Sequence, residues 1–258
     1  MPSEKVFYEN TRSLKIAAIL DKPEKSGKNP AVIICHGFTS FKEFKPLVKI
    51  SQKLVENNFI TMRFDFSNCI GESEGRCEDM LVSHQIDDLI SSINFLSENE
   101  SVDKKRISVV GHSLGAFTAI LTASADKRIR SIVPVSSPAK FEWHTLFDEN
   151  TLEKWAKEGL MDHNTFKKGH VKLHYNFIED LKEYDATKII RRVKSPTRFI
   201  HGSNDIIVPP KNSQALFENA NDPKDLRIIE NADHVFLKDE FIGQLVDITS
   251  QWCIKHGK

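Results

Sequence analysis

Short apolar runs separated by helical patterns set the strongest limit on how this chain folds. Ala31-Val32-Ile33-Ile34-Cys35 is apolar at every position. A strand with one face in water alternates apolar and polar residues. A strand that is apolar throughout needs cover on both faces, the condition of a parallel sheet sandwiched between helices. The rest of the chain keeps this rhythm. Phe44 to Asn57 carries Leu47, Ile50, Leu54 and Val55 at helical spacing, and Phe59 to Phe64 reads as a strand. Ile86 to Leu96 places Ile86, Leu89, Ile90, Ile93 and Leu96 on one helix face. Ile107 to Val110 and Ile132 to Val135 are strands on either side of a small-residue helix, Leu114 to Ala125. Residues 5–9 and 14–20 alternate and read as an opening hairpin. Arg198 to His201 and Leu226 to Glu230 are strands around a helix from Ser213 to Asn219, and Phe241 to Ile254 closes the chain as an amphipathic helix. Strands alternating with helices predict an α/β fold with a doubly wound, mostly parallel sheet of about eight strands.

The rhythm breaks from about Ser137 to Tyr184, a stretch of aromatics, histidines and charges with no β-branched strand run. A segment this long inside an α/β domain is usually a functional insertion. The expected division is therefore a core of residues 1–136 and 186–258 and an insertion at 137–185. Phe141, Trp143, Phe147, Trp155, Phe166, Tyr175 and Phe177 would line a pocket or form the insertion's own core. His170 and His174 stand four apart, as on one helix face, but no acidic ligand motif frames them or His144 and His163. Solvent-exposed histidines are the better reading, and no metal is expected.

The stretch Ile107 to Ala116 carries the chemistry. It reads as a strand, then Gly111-His112-Ser113-Leu114-Gly115, then a helix. A chain that reverses between strand and helix in so few residues strains Ser113 and exposes its hydroxyl. Gly111 and Gly115 let neighbouring backbone approach. The new helix aims N–H groups and partial positive charge at that point. A serine hydroxyl needs an adjacent base, and the base a carboxylate to fix its tautomer. In folds that present a serine this way, the acid and then the base follow in chain order. Asp205 comes just after the strand Arg198 to His201, and His234 lies in the loop after the last strand. Asp222, Asp225 and Asp233 lie in a polar turn or directly beside His234, Asp180 and Asp185 precede the strand, and His256 is in the tail. His201 ends a strand and reads as structural, and His112 fills the variable elbow position. Acyl transfer also needs donors aimed at a developing oxyanion. The backbone N–H groups of Leu114 and of Phe38, after Gly37 in the loop Cys35-His36-Gly37-Phe38, are the expected pair.

Composition closes off other classes. Lys+Arg and Asp+Glu are equal at 36 each, which gives no electrostatic reason to expect nucleic acid. No run approaches the ~18 apolar residues of a membrane helix, and the charged N-terminus lacks a signal-peptide core, so a cytoplasmic location is expected. Cys35, Cys69, Cys77 and Cys253 form no CxxC pair and read as free thiols.

Together His36-Gly37-Phe38, Arg63-Phe64-Asp65-Phe66, Gly71-Glu72-Ser73-Glu74-Gly75, the elbow, His201-Gly202-Ser203-Asn204-Asp205 and Asp233-His234 resemble the α/β-hydrolase superfamily. The likeness is greatest to its small carboxylesterases, the cinnamoyl/feruloyl esterase and monoglyceride-lipase-like group. It implies an α/β-hydrolase fold, a cap at 137–185, and a cofactor-free serine carboxylesterase acting on small esters, aromatic or short-chain. A monoacylglycerol lipase or thioesterase with the same triad is the alternative, and a non-catalytic binding protein on this scaffold the rival of another class. The resemblance leaves oligomeric state open, a homodimer included. A peptidase is disfavoured, because related oligopeptidases carry a large extra domain. In one segment the chain departs from the group: Asp65-Phe66-Ser67-Asn68-Cys69-Ile70-Gly71 stands where Asp-Phe-Arg-Gly-His-Gly is expected.

Overall fold

Asn29–Cys35 (β3) is buried at all seven positions, and the sheet is built outward from it. The computed structural model describes residues 3–140, 147–165 and 169–257. Ser3–Glu9 (β1) and Lys15–Asp21 (β2) form the opening hairpin. After β3 come Lys45–Glu56 (α1), Ile60–Phe64 (β4), Val82–Glu98 (α2), Val102–His112 (β5), Leu114–Ala125 (α3) and Ile129–Val135 (β6). The insertion holds Glu149–Glu158 (α4), Leu160–Thr165 (β7), Gly169–His174 (β8) and Asn176–Lys182 (α5). The core resumes with Ala186–Ile189 (α6), Thr197–Gly202 (β9), Lys211–Asn219 (α7), Lys224–Ile229 (β10) and Asp239–Gly257 (α8).

The eight-stranded sheet runs β1-β2-β4-β3-β5-β6-β9-β10, antiparallel at β1/β2 and β2/β4 and parallel elsewhere. Its two faces carry separate cores. One gathers Ile33, Val109, Leu89 and Phe117, the other Val32, Val110, Leu54 and Trp252. Alternate residues of β3 and β5 thus feed opposite layers, as the period of two demands. Helix α3 is buried from Leu114 to Ala123, and its small residues let it lie close against the sheet. The pairs Cys35↔Gly111, His112↔Val135 and Gly202↔Ile229 level the C-terminal ends of the parallel strands. Loops leaving those ends share one rim, where open α/β sheets bind their ligands. No described helix is long and apolar enough to cross a membrane.

Two expectations for the insertion are corrected. It contains a strand pair, β7 against β8, registered from Leu160↔His174 to Thr165↔Gly169. His170 and His174 therefore lie on a strand, roughly 13 Å apart at ~3.3 Å per residue, and do not share a helix face. Trp155 is buried in this layer, with its Nε1 donating to the Leu173 carbonyl at 2.9 Å and Tyr175 packed edge-on. Phe141, Trp143, His144 and Phe166 lie outside the described residues.

Candidate active site

Ser113 adopts φ 55°, ψ −118°, left-handed backbone that side chains other than glycine avoid. The surroundings enforce it. Ser113 N donates to the Val135 carbonyl at 2.8 Å, while its own carbonyl accepts from Ala116 N and Phe117 N and starts α3. A Cβ at Gly111 would lie 2.3 Å from the Gly115 carbonyl oxygen, and one at Gly115 would lie 2.3 Å from that of His36. Both glycines are needed for the backbones to pass.

The chain order expected from sequence closes into one hydrogen-bonded line. Ser113 Oγ donates to His234 Nε2 at 3.0 Å, and His234 Nδ1 donates to Asp205 Oδ2 at 2.7 Å. Asp205 is buried, and its Oδ1 accepts from the amides of Ile207 and Val208. Burial pushes its carboxyl up. The bonds from His201, His234 and Val208 outweigh burial and hold it well below the usual carboxylate range. The group is thus a fixed anion beside an imidazole, the arrangement that stabilises an imidazolium.

Two further histidines support this line. His201, at the end of β9, has a buried ring that donates from Nε2 to the Val208 carbonyl at 2.7 Å and lies 3.2 Å from Asp205 Oδ2, while Ser213 Oγ donates to Nδ1 at 2.6 Å. It steadies both the acid and the turn that feeds it. His112 donates from Nε2 to the His234 carbonyl at 2.8 Å and packs between Phe44 and His234. Burial, reinforced by the neighbouring His234, pushes it down to about 3, so the ring stays neutral. Its position inside the elbow and that of His201 four residues before the acid were the only sequence signals for these roles.

The loop after β3 backs onto Ser113. A Cβ on Gly37 would sit 3.1 Å from Ser113 Cβ, a contact tighter than most, so a larger residue would have to push the loop or the serine aside by a few tenths of an ångström. Leu114 N is among the first-turn amides that a helix leaves without an intrahelical partner. Phe38 and Leu114 both line a cavity of ≈ 540 Å³ that reaches Ser113 and His234. Its walls are mostly apolar, with Phe41, Phe44 and Leu237 from the core, and Phe147 and Phe177 from the insertion. Phe177 stacks on Phe38 at 5.3 Å. Exposed Ile207 and Leu237 also line it. His163 corrects another expectation: it is half-buried and lines this cavity.

The divergent loop lies beneath the Gly37 loop. Asp65 accepts from the Lys42 amide and ammonium, both at 2.7 Å, and from Glu72 N at 2.8 Å. Phe66 N donates to His36 Nε2, and Cys69 Sγ to the Ser40 carbonyl. A Cβ at Gly71 would overlap Asp65. Ser67 donates from its amide and hydroxyl to Asp88 at 2.8 Å, filling with a short polar side chain the place of the expected arginine. All four cysteines are free thiols. Among the described residues no group of three or more His, Cys, Asp or Glu side chains is arranged to hold a metal.

Comparison with known proteins places the chain further. A family model described as "Prolyl oligopeptidase family" matches residues 74–258, which include Ser113, Asp205 and His234. A second, "Acyl transferase", matches residues 3–132. An uncharacterized 31.7 kDa protein of the traX-finO intergenic region of Escherichia coli is 25% identical over 93% of this chain and 96% of its own length. The mitochondrial palmitoyl-protein thioesterase ABHD10 of Rattus norvegicus is 25% identical over 81% of this chain and 70% of its own. Among solved structures, Est1E from Butyrivibrio proteoclasticus with bound ferulic acid superposes with a TM-score of 0.80 at 20% identity, over 97% of this chain and 98% of that one. That likeness is one of fold.

Proposed function

The chain belongs to the prolyl oligopeptidase family of α/β-hydrolases, and from that premise we propose that it is a serine carboxylesterase working through an acyl-enzyme on Ser113. The observation that carries the reading is the continuous line Ser113–His234–Asp205 opening into an apolar cavity. As Oγ bonds to the substrate carbonyl carbon, His234 Nε2 takes its proton. The amides of Phe38 and Leu114 hold the oxyanion, and Asp205 balances the imidazolium. His234 then protonates the leaving oxygen and the alcohol departs. Water adds to the acyl-enzyme with His234 as base, and the acid leaves with the Ser113 hydroxyl restored. The sequence of steps uses only protein groups and calls for no cofactor. We extend the proposal to a cytoplasmic enzyme of small esters.

Thioester hydrolysis is the second reading, favoured by the thioesterase relative and by the apolar walls of the cavity. It uses the same acyl-enzyme. A panel of p-nitrophenyl esters, monoacylglycerols, acyl-CoA thioesters and peptide anilides ranks the substrate classes. A fluorophosphonate probe should label Ser113, and Ser113→Ala should abolish both labelling and turnover. Wild-type turnover by that variant, or a wild-type protein that the probe leaves unmodified, would refute the acyl-enzyme and favour a binding protein on this scaffold.

A further inference from the structure

The hairpin of the cap turns one row of side chains inward. Along β7, Asp162 and Asn164 are exposed, while Met161, His163 and Thr165 alternate with them on the covered face. Across the pair, Leu173 faces Met161 and Val171 faces His163, and both are buried. A histidine thus stands in a row whose pattern asks for an apolar side chain. It lines the cavity that reaches Ser113. Its ring lies 5.2 Å from that of Phe38 and 6.1 Å from that of Phe147. Neither ring nitrogen has a hydrogen-bond partner among the described residues. By contrast, His170 on the other strand is exposed.

A polar group placed in an apolar cavity without a partner costs stability unless something occupies its hydrogen-bonding positions. The ring is half-buried, so water can satisfy it, and a substrate that displaces this water loses affinity unless it reproduces the hydrogen bonds. Burial alone pushes the His163 ring down. It is therefore neutral near neutral pH and offers one donor and one acceptor.

We propose that His163 is a specificity residue, hydrogen-bonding a hydroxyl or carbonyl substituent on the otherwise apolar body of the substrate. The proposal rests on the acyl-enzyme reading and adds to it the substrate class: esters whose hydrophobic portion carries one polar group away from the scissile carbonyl. That portion belongs to either the acyl or the alcohol half, and matched pairs separate the two. Methyl cinnamate against methyl 4-hydroxycinnamate, and methyl hexanoate against methyl 6-hydroxyhexanoate, test the acyl half. Phenethyl acetate against 4-hydroxyphenethyl acetate tests the alcohol half.

In the wild type, kcat/KM should favour the hydroxylated member of at least one pair. His163→Phe keeps a ring against Phe38 and should shrink the ratio of kcat/KM between the two members of that pair by about ten-fold, the size of one hydrogen bond. His163→Gln restores a donor and an acceptor and should recover part of it. A wild type indifferent to every pair, or a His163→Phe variant that slows both members alike, overturns the proposal. Fluorophosphonate labelling of Ser113, run in parallel on wild type and variants, reports the acyl-enzyme reading separately.

Discussion

Asp65 follows β4 and Asp205 follows β9, so both carboxyl groups sit just past the C-terminal end of a parallel strand. Both are buried, both accept two or more backbone amides or side-chain donors, and both are held below the usual carboxylate range against the upward push of burial. Their side-chain partners differ. Asp65 is hydrogen-bonded to Lys42, whose side chain has no exposed surface and which also meets Glu72, while the neighbouring His36 ring adds to the lowering without bonding to it. The partners of Asp205 are two imidazoles, and one of these touches Ser113. An ammonium neutralises a carboxylate permanently, and the pair becomes a fastener under the Gly37 loop. An imidazole leaves the charge uncompensated until it takes up a proton. Position in the sheet supplies a buried anion in both places; the neighbour decides whether that anion braces the loop or awaits an imidazolium.

Exchanging the charge in each place tests this contrast. Asp205→Asn should lower kcat by on the order of 10⁴-fold with only a modest fall in the thermal midpoint, because the amide favours the wrong His234 tautomer and gives up the buried anion's stabilisation. Steady-state kinetics beside a melting curve read both. Lys42→Met should do the reverse. It leaves Asp65 buried beside an apolar chain and should cost about 3–5 kcal/mol in urea unfolding, with kcat on the surviving folded protein much less affected. A Lys42→Met protein as stable as wild type would mean that the pair is not a fastener.

The smallest effect is one of pH. Because the folded Asp65 carboxyl lies below its ordinary value, its stabilisation is fully present above about 3.9 and is lost as pH falls towards the lower folded value. The stability gap between wild type and Lys42→Met should therefore narrow as pH falls below about 3.9 towards that lower folded value, where wild-type Asp65 takes up its proton. A gap that stays constant down to acid unfolding would assign the cost to packing of the lysine stem.

The strands, the elbow and the order of Ser113, Asp205 and His234 were legible in sequence because each residue lies within a few positions of the end of a strand in the parallel sheet. The hairpin β7/β8 was not. Leu160-Met161-Asp162-His163-Asn164-Thr165 has almost no β-branched residues, and its strand character comes from pairing with β8 and from the Trp155 layer beneath. With the strand unseen, its parity was unseen, and His163 passed for a surface residue. Lys42 and Asp65 are 23 residues apart and carry no local signal of their contact. The substitution of Ser67 at the expected arginine was visible, but its meaning depended on Asp88, which belongs to the next helix.

Helix α2 has no capping side chain of its own at Leu81. Instead Asp180, on α5, accepts from Val82 N at 2.7 Å and Ser83 N at 3.1 Å, two of the amides that a helix start leaves open. Helix α2 in turn packs on α3, with Thr118 Oγ1 donating to Gln85 Oε1 at 3.0 Å. These two amide protons have their hydrogen bonds supplied by α5, so their hydrogen-exchange rates should rise whenever α5 leaves α2, which makes them a local clock for that contact.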